Sequence, residues 1–172
     1  MFDITKLSNT YDVRRMNDDD ADEILSFCKK NTQYYLYCGK SPTRELILND
    51  LHLCPPGIEM SDKYYVGFYD EDVLVAIMDL IDGYPEDDIA YIGFFMMNNE
   101  LQGRNIGTMI IDEVCGYLKK AGMKAVRLGI DKGNPQSTHF WNKNGFKVTD
   151  EVEREGWSIL IAERTLQDTW KI

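Results

Sequence analysis

The sequence lacks the features that mark membrane, secreted and repeat proteins. No apolar run approaches the ~20 residues of a bilayer-spanning helix, and residues 1–6 contain no apolar signal-peptide core. It has no internal repeat, low-complexity tract or linker. The hydrophobic fraction of 44% and charged fraction of 28% are ordinary for a globular protein. We therefore expect one cytoplasmic domain over residues 1–172, with no membrane partner.

Cysteine is also sparse. The four cysteines, Cys28, Cys38, Cys54 and Cys115, are widely scattered and form no C-x-x-C pattern of a metal or redox site. We expect most of them to occupy core positions as free thiols, without disulfides and without a metal.

Positive charge is scarce in the first part of the chain. Residues 1–100 carry 20 acidic and 8 basic side chains, a net of −12, whereas residues 101–172 carry 9 and 11, a net of +2. The overall net charge of −10 argues against a nucleic-acid partner. The asymmetry is either solvated surface or the mark of an anionic ligand on one side and a cationic substrate on the other.

Residues 102–108, Gln-Gly-Arg-Asn-Ile-Gly-Thr, separate a hydrophobic strand pattern from a helix pattern. The helix pattern has apolar residues at Ile110, Ile111, Val114 and Leu118. The first N–H groups of a helix lack internal acceptors and attract anions. Gly103 and Gly107 would allow close backbone approach, and Arg104 would add a charged donor. The segment is therefore either a phosphate site or a turn that contains two glycines.

The next segment makes a specific resemblance visible. A strand pattern at residues 125–130 leads into Asn-Pro-Gln-Ser-Thr-His-Phe-Trp-Asn-Lys-Asn-Gly-Phe at 134–146. Residues 89–146 resemble the GNAT superfamily of N-acetyltransferases, which carries Q/R-x-x-G-x-G/A, an Asn after the next strand, and an aromatic-Tyr-x-Lys-x-Gly-Phe ending. The matching positions are Gln102, Gly107, Asn134, Phe140, Lys143, Gly145 and Phe146.

Two positions depart from that pattern. Asn105 replaces the middle glycine, which is a mild change because Asn tolerates left-handed backbone. Trp141 replaces the Tyr that would protonate the leaving thiolate, and an indole has no useful acidity. We expect Trp141 to be a packing wall and the thiolate to leave unassisted.

The resemblance implies acetyl-CoA as the acyl-donor co-substrate. Its pyrophosphate would lie on the N–H groups of residues 103–108, and its pantetheine would run along residues 95–97. Asn134, Phe140 and Lys143 would border the thioester and the CoA arm. The cofactor-binding residues expected on this basis are Phe95, Met96, Met97, Gln102, Gly103, Arg104, Asn105, Ile106, Gly107, Thr108, Asn134, Phe140 and Lys143.

The remaining periodicities predict the order β-α-α-β-β-β-α-β-α-β-β. This is one α/β domain with a mixed, mostly antiparallel sheet of about six or seven strands and about four helices, an order that also fits the resembled family. Predicted strands lie at 11–15, 63–69, 73–81, 89–97, 125–130, 146–150 and 157–164, and the turn of the last pair lies at Glu155 and Gly156. The final strands could pair between subunits of a homodimer.

The resemblance also implies direct attack of an amine on the thioester. The amine must lose a proton, and a backbone N–H at residues 95–97 would meet the developing oxyanion, with Gly93 easing the strand distortion. Tyr91 lies near the usual base position, but a neutral phenol is a poor base. We expect a water relay that ends on Asp79 or on the acidic loop 82–88. Asp79 itself either pairs with a neighbour or faces the substrate.

Tyr34, Tyr35 and Tyr37 lie on the predicted link between the first two helices. They either line the acceptor pocket, as that link does in the resembled family, or cover the sheet.

The leading hypothesis is an acetyl-CoA-dependent N-acetyltransferase that acts on a primary amine, either a small cationic molecule or a peptide. The alternative is a non-catalytic acyl-CoA-binding or regulatory module on the same fold, which the Trp141 departure favours slightly. A nicotinamide site is disfavoured, because its glycine fingerprint opens a βαβ unit, whereas these two glycines follow an antiparallel meander. A nucleic-acid binder is the least favoured hypothesis, because the net charge of the chain is −10.

Overall fold

The computed structural model describes residues 1–154 and 156–167. Within them lie seven strands and five α-helices. In chain order these are β1 (Asp12–Arg15), α1 (Ala21–Lys29), α2 (Thr32–Cys38), α3 (Arg44–His52), β2 (Lys63–Asp70), β3 (Val73–Ile81), β4 (Ile89–Met97), α4 (Ile106–Lys120), β5 (Ala125–Asp131), α5 (Pro135–Lys143), β6 (Lys147–Arg154) and β7 (Trp157–Thr165).

The strands form one sheet in the order β1-β2-β3-β4-β5-β7-β6. Only the β4–β5 pair is parallel, and all other neighbours are antiparallel. The predicted α/β class and mixed, mostly antiparallel sheet are confirmed. The helix between β4 and β5 supplies the crossover that a parallel pair requires.

Two apolar clusters pack on the two faces of the sheet. Strand residues alternate between them, so that Met78 belongs to the first cluster and its neighbour Ile77 to the second. The first cluster holds the predicted face of α4, which is fully buried, and the second holds the buried faces of α1 and α3. The sheet is thus sandwiched between helices.

The structure differs from the sequence prediction at the tyrosine-rich link. Residues Thr32–Cys38 form the short helix α2, which Gly39 ends with a left-handed φ of 68°. None of its residues is buried, so no apolar periodicity marks it as a helix in the sequence. The part of the chain that the structure describes therefore has five helices rather than about four.

The prediction that most cysteines occupy core positions is correct for two of the four. Cys28 and Cys115 are buried, whereas Cys38 and Cys54 are partly exposed, and all four are free thiols. Glu155 of the predicted last turn lies outside the described residues. In the part of the chain that the structure describes, no helix is long and apolar enough to span a bilayer.

Candidate active site

The parallel strands β4 and β5 separate part-way along their length. They pair from Ile89 opposite Ala125 to Ile92 opposite Leu128. Beyond this point β4 keeps its pairing with β3, and β5 keeps its pairing with β7. The edge of β4 that faces the opening therefore presents backbone groups of residues 94–97 that β5 does not bond.

A β-bulge marks the point of separation. On β3, Asp79 faces Phe94 and the next residue, Leu80, faces Ile92, so Gly93 is the extra residue on β4. A bulge bends its strand and can terminate pairing. Gly93 lies where the sequence led us to expect a distortion.

The first cavity, of about 360 Å³, borders this opening and the loop before α4. All of the residues expected to bind the cofactor line it, except Arg104. Arg104 is exposed and is not part of the cavity wall, so its contact with the cofactor stays a prediction.

The loop before α4 has the backbone of an anion cradle. Gly103 and Asn105 have left-handed φ angles of 76° and 60°. Asn105 thus adopts the backbone conformation expected of the glycine that it replaces. The N–H of Met109 bonds to the carbonyl of Asn105. The N–H groups of residues 106–108 precede this first helical bond, and the first turn of α4 contains no acidic residue.

Gly107 lies where the start of α4 packs against its neighbours. A Cβ on Gly107 would lie 3.1 Å from the ring of Phe140 and 3.3 Å from Cγ of Met97. Both distances are tighter than ordinary contacts. A side chain at this position would therefore project among the residues that form the cavity wall.

Two of the predicted ligand residues also tie elements together. The Gln102 amide donates to Oδ1 of Asn31 at 2.8 Å, and Nζ of Lys143 donates to Oδ1 of Asn105 at 2.6 Å. The first bond anchors the loop to the junction of α1 and α2, and the second anchors it to α5. Asn31 is buried and lines the cavity. Sequence reasoning missed it, because no periodicity or motif distinguishes it.

Asn134 and Trp141 fix helix α5 beside the cavity. Oδ1 of Asn134 accepts the N–H of Ser137 at 3.0 Å and so caps the helix. Trp141 is 7% exposed, with ring centroids 5.0 Å from Phe140, 5.0 Å from Phe146 and 5.9 Å from Phe95. It lines the cavity as part of an aromatic cluster, which is the position that a packing wall requires.

A second cavity, of about 540 Å³, lies next to the bulge and shares Tyr34 with the first. Tyr35, Asp79 and Tyr91 line it too, whereas the exposed Tyr37 does not. The walls are rich in aromatic rings and carry three carboxylates. These lining residues are Tyr34, Tyr35, Tyr65, Tyr84, Tyr91, Phe94, Trp157, Asp50, Asp79 and Asp131.

Asp79 is both paired and part of this cavity wall. Its side chain is 14% exposed, and its Oδ2 accepts from Nζ of Lys63 at 2.6 Å. Oδ1 is buried and has no hydrogen-bond partner among the described residues. Burial raises the pKa of Asp79 to about 6, against the opposing effect of Lys63. Of the two alternatives from the sequence, the pairing with a neighbour is observed, while the prediction that Asp79 faces the substrate stays a prediction.

Sequence reasoning missed Lys63 and Asp131. Lys63 pairs opposite Ile81 and Tyr65 opposite Asp79, so Lys63 and Asp79 share a face as diagonal neighbours. Only the register of β2 and β3 reveals this contact. Asp131 ends β5 at the cavity, and burial alone raises its pKa. Its position at a strand end that opens on a site is the signal that could have found it.

Comparison with known proteins identifies the family. Residues 24–146 match the family model described as Acetyltransferase (GNAT) family. The chain belongs to the GNAT acetyltransferase family. Members of this family transfer an acyl group from acetyl-CoA to an amine, and this GNAT protein is an acyltransferase.

Relatives of this GNAT protein come from several microorganisms. It is 26% identical over 165 residues to an uncharacterized N-acetyltransferase of Methanocaldococcus jannaschii, a match that spans 92% of this chain and 70% of the relative. An acetyltransferase crystal structure from Thermus thermophilus superposes with a TM-score of 0.74 at 21% identity, over 91% of this chain and 97% of that one.

A third relative was crystallised with a ligand. The PaiA N-acetyltransferase of Thermoplasma acidophilum, in complex with coenzyme A, has a TM-score of 0.63 and 20% identity. The match covers 90% of this chain and 98% of that one. At these identities the solved structures establish the shared GNAT fold.

Proposed function

We propose that this protein is an N-acetyltransferase that moves an acetyl group from acetyl-CoA to a primary amine, and that the preferred acceptor is a small amine with a positive charge before reaction. The observation that carries the proposal is the meeting of two different cavities along β4. Residues 95–97 line the cavity with the anion cradle, whereas Tyr91, Gly93 and Phe94 line the cavity with the carboxylates. Tyr34 borders both.

The first cavity suits the chemistry of coenzyme A. The N–H groups of residues 106–108 precede the first helical bond of α4 and offer donors to a pyrophosphate. The open edge of β4 offers backbone partners to the amides of a pantetheine arm. The glycine at position 107 keeps a side chain out of this space. We assign this cavity to the acyl donor.

A groove of about 900 Å³ continues from the loop along α4 and gives a long ligand further room. It shares Asn105, Thr108 and Lys143 with the first cavity. Its wall adds Lys6 and Lys120, whose positive charges suit the remaining phosphate of CoA. The location of these lysines agrees with an anionic donor on this side of the protein.

When bound, acetyl-CoA supplies a thioester carbonyl carbon to which the amine nitrogen bonds while the C–S bond breaks. CoA leaves as the thiolate, which then takes a proton from solvent. Backbone N–H groups on the open edge of β4 stabilise negative charge at that carbonyl. Asp79, whose side chain lines the second cavity and is 14% exposed, takes the proton from the nitrogen through a water relay. A base with a pKa of about 6 is ionised at neutral pH and suits this role.

We assign Tyr91 to orient the proton path rather than to accept the proton, because a neutral phenol is a poor base. Tyr91 lines the same cavity as Asp79. A Cβ on Gly129 of β5 would lie 3.3 Å from its hydroxyl oxygen. The missing side chain at Gly129 thus leaves room for the phenol at the opening between the strands.

The walls of the second cavity favour a cationic acceptor. Aromatic faces attract ammonium groups, and seven aromatic side chains line this cavity. Among the described residues no ion pair involves Asp131, whose carboxylate is partly buried at the cavity wall. A cationic amine would supply the partner that this carboxylate lacks.

The proposal is tested by the release of free thiol from acetyl-CoA with a panel of amines that includes polyamines, amino sugars, amino acids and peptides. We expect cationic primary amines to give the highest kcat/KM at low salt. The Asp79→Asn variant should lose most turnover and keep its affinity for CoA. Asp72→Asn, an exposed position that lines neither cavity nor the groove, is the matched control. Preference for a neutral or anionic amine at both low and high salt would contradict the acceptor assignment.

A further inference from the structure

We propose that Lys63 is a positioning residue of the acyl transfer, which holds Asp79 at the cavity wall and keeps its carboxylate ionised at neutral pH. The inference rests on the proposed function, in which Asp79 takes the proton of the acceptor amine. Lys63 itself does not line the second cavity. It acts through Asp79 rather than on the substrate.

Lys63 is an ammonium group removed from water. Its side chain is 1% exposed, and Nζ lies 2.6 Å from Oδ2 of Asp79 and 5.8 Å from the ring centroid of Tyr65. Burial of such a charge is costly, and a buried ion pair often adds little net stability compared with apolar residues. The position of Lys63 is therefore better explained by its effect on Asp79 than by a contribution to folding.

The two oxygens of Asp79 have different surroundings. Oδ2 accepts from Lys63, while Oδ1 is buried and has no hydrogen-bond partner in the described residues. A Cβ on Gly93 would lie 2.8 Å from Oδ2, so the bulge on β4 leaves the space in which the carboxylate sits. The carboxylate is thus fixed from one side by a donor and from the other by the backbone of β4.

Lys63 also sets the charge balance around Asp79. Burial raises the pKa of Asp79, the nearby Asp50 of α3 raises it further, and Lys63 lowers it. The other titratable groups at this cavity are the phenols of α2, β2, β4 and the loop before β4, the thiols of Cys38 and Cys54, and the charged Lys40 and Asp131. Lys63, which lies behind the cavity wall, is the cation in contact with Asp79. Without it, burial and Asp50 would favour the protonated carboxyl, which cannot accept a proton.

The test is the pH dependence of kcat/KM in Lys63→Met. A base works when it is deprotonated, so the acidic limb of the profile should lie near pH 6 in the unaltered protein. In the variant it should move upward by about one unit or more, since a close opposite charge shifts a pKa by roughly that amount. Activity at pH 7 should fall severalfold and recover at higher pH, with an unchanged KM for acetyl-CoA.

Two further variants distinguish the effect of the Lys63 charge from a general effect of substituting a lysine. Lys124→Met removes a lysine that pairs with Asp88 on the exposed surface, and we expect it to leave the profile unchanged. Lys63→Arg keeps the positive charge. A folded Lys63→Arg variant should therefore show the acidic limb at the pH that it has in the unaltered protein. A uniform loss of kcat in Lys63→Met with no movement of the limb would overturn the proposal, because a merely structural role predicts that pattern.

A direct titration separates this inference from the proposed function. The carboxyl carbon of Asp79, observed by NMR in the full chain, should titrate near pH 6 in the unaltered protein and higher in Lys63→Met. If no amine releases thiol, the proposed function fails, while the titration still decides whether Lys63 controls Asp79. If Lys63→Met does not fold, the unaltered protein decides: an Asp79 carboxyl that is still protonated at pH 7 overturns the inference.

Discussion

Gly93 of β4 and Asp79 of β3 fit together so closely that a Cβ on the glycine would lie 2.8 Å from Oδ2 of the carboxylate. Real Cβ atoms essentially never approach a neighbour so closely. The contact lies at the bulge where β4 leaves β5. The distortion that opens the sheet and the space for the proposed base are therefore the same feature.

Gly93→Ala should displace Asp79 and reduce kcat by about tenfold or more, because small misplacements of a reacting group are costly. The affinity for CoA, measured by calorimetry, should stay close to that of the unaltered protein. Val73→Ala is the control, since Val73 is an exposed residue of β3 that lines neither cavity nor the groove. Full activity in Gly93→Ala would show that the position of Asp79 does not matter for turnover.

Gly107→Glu should abolish acetyl-CoA binding. The new side chain would enter the space beside Phe140 and Met97 and place a negative charge at the anion cradle. Asn99→Glu adds the same charge at an exposed residue that lines neither cavity nor the groove. This variant should retain binding. Calorimetry with CoA measures both variants. An unchanged dissociation constant in Gly107→Glu would refute the assignment of the first cavity to the donor.

Trp141 should act through packing rather than proton transfer. Trp141→Phe should keep most turnover, and Trp141→Tyr should leave the rate roughly unchanged. Trp141→Ala should lower the free energy of unfolding by ~3–5 kcal/mol, because the buried ring contacts Phe95, Phe140 and Phe146. Denaturant unfolding and steady-state rates check these outcomes. A large rate gain in Trp141→Tyr would mean that an acid is missing, and would favour a binding module over an efficient enzyme.

Asp131 should contribute to the recognition of cationic acceptors. Asp131→Asn should raise KM for a cationic amine by about fivefold at low salt, the effect of ~1 kcal/mol expected for one partly exposed charge pair. The effect should shrink at high salt, because salt screens such pairs. Asp87→Asn removes an exposed carboxylate outside the cavities and is the control. Equal KM values for Asp131→Asn and the unaltered protein would show that the cationic group of the acceptor does not bind at Asp131.

The sequence predicted the parts of the fold that local patterns encode. The strands Val73–Ile81 and Ile89–Met97 have the predicted bounds, because each is a long apolar run between turn residues. The left-handed backbone of Asn105 also followed from residue chemistry. Helix α2 was missed, since Tyr34 and Tyr35 line a cavity instead of forming an apolar stripe.

Contacts between distant elements could not be predicted in the same way. Lys63 reaches Asp79 only through the register of two strands, and Asn31 reaches Gln102 across 71 positions of sequence. Arg104 shows the converse: it belongs to a matching motif, yet its exposed side chain is not part of the cavity wall. Motif position indicates which segment forms a site, whereas the turn and the register decide which side chains enter it.

The most direct test of the central claim is a single-turnover stoichiometry measurement. The protein is incubated with acetyl-CoA and one cationic primary amine, and free thiol and acetylated amine are quantified together by thiol titration and mass spectrometry. We predict equal amounts of CoA thiol and N-acetylated amine, formed only when protein and amine are both present. Tight binding of acetyl-CoA with no amine-dependent thiol release across the whole panel would contradict the account, and would indicate a binding module built on the acetyltransferase fold.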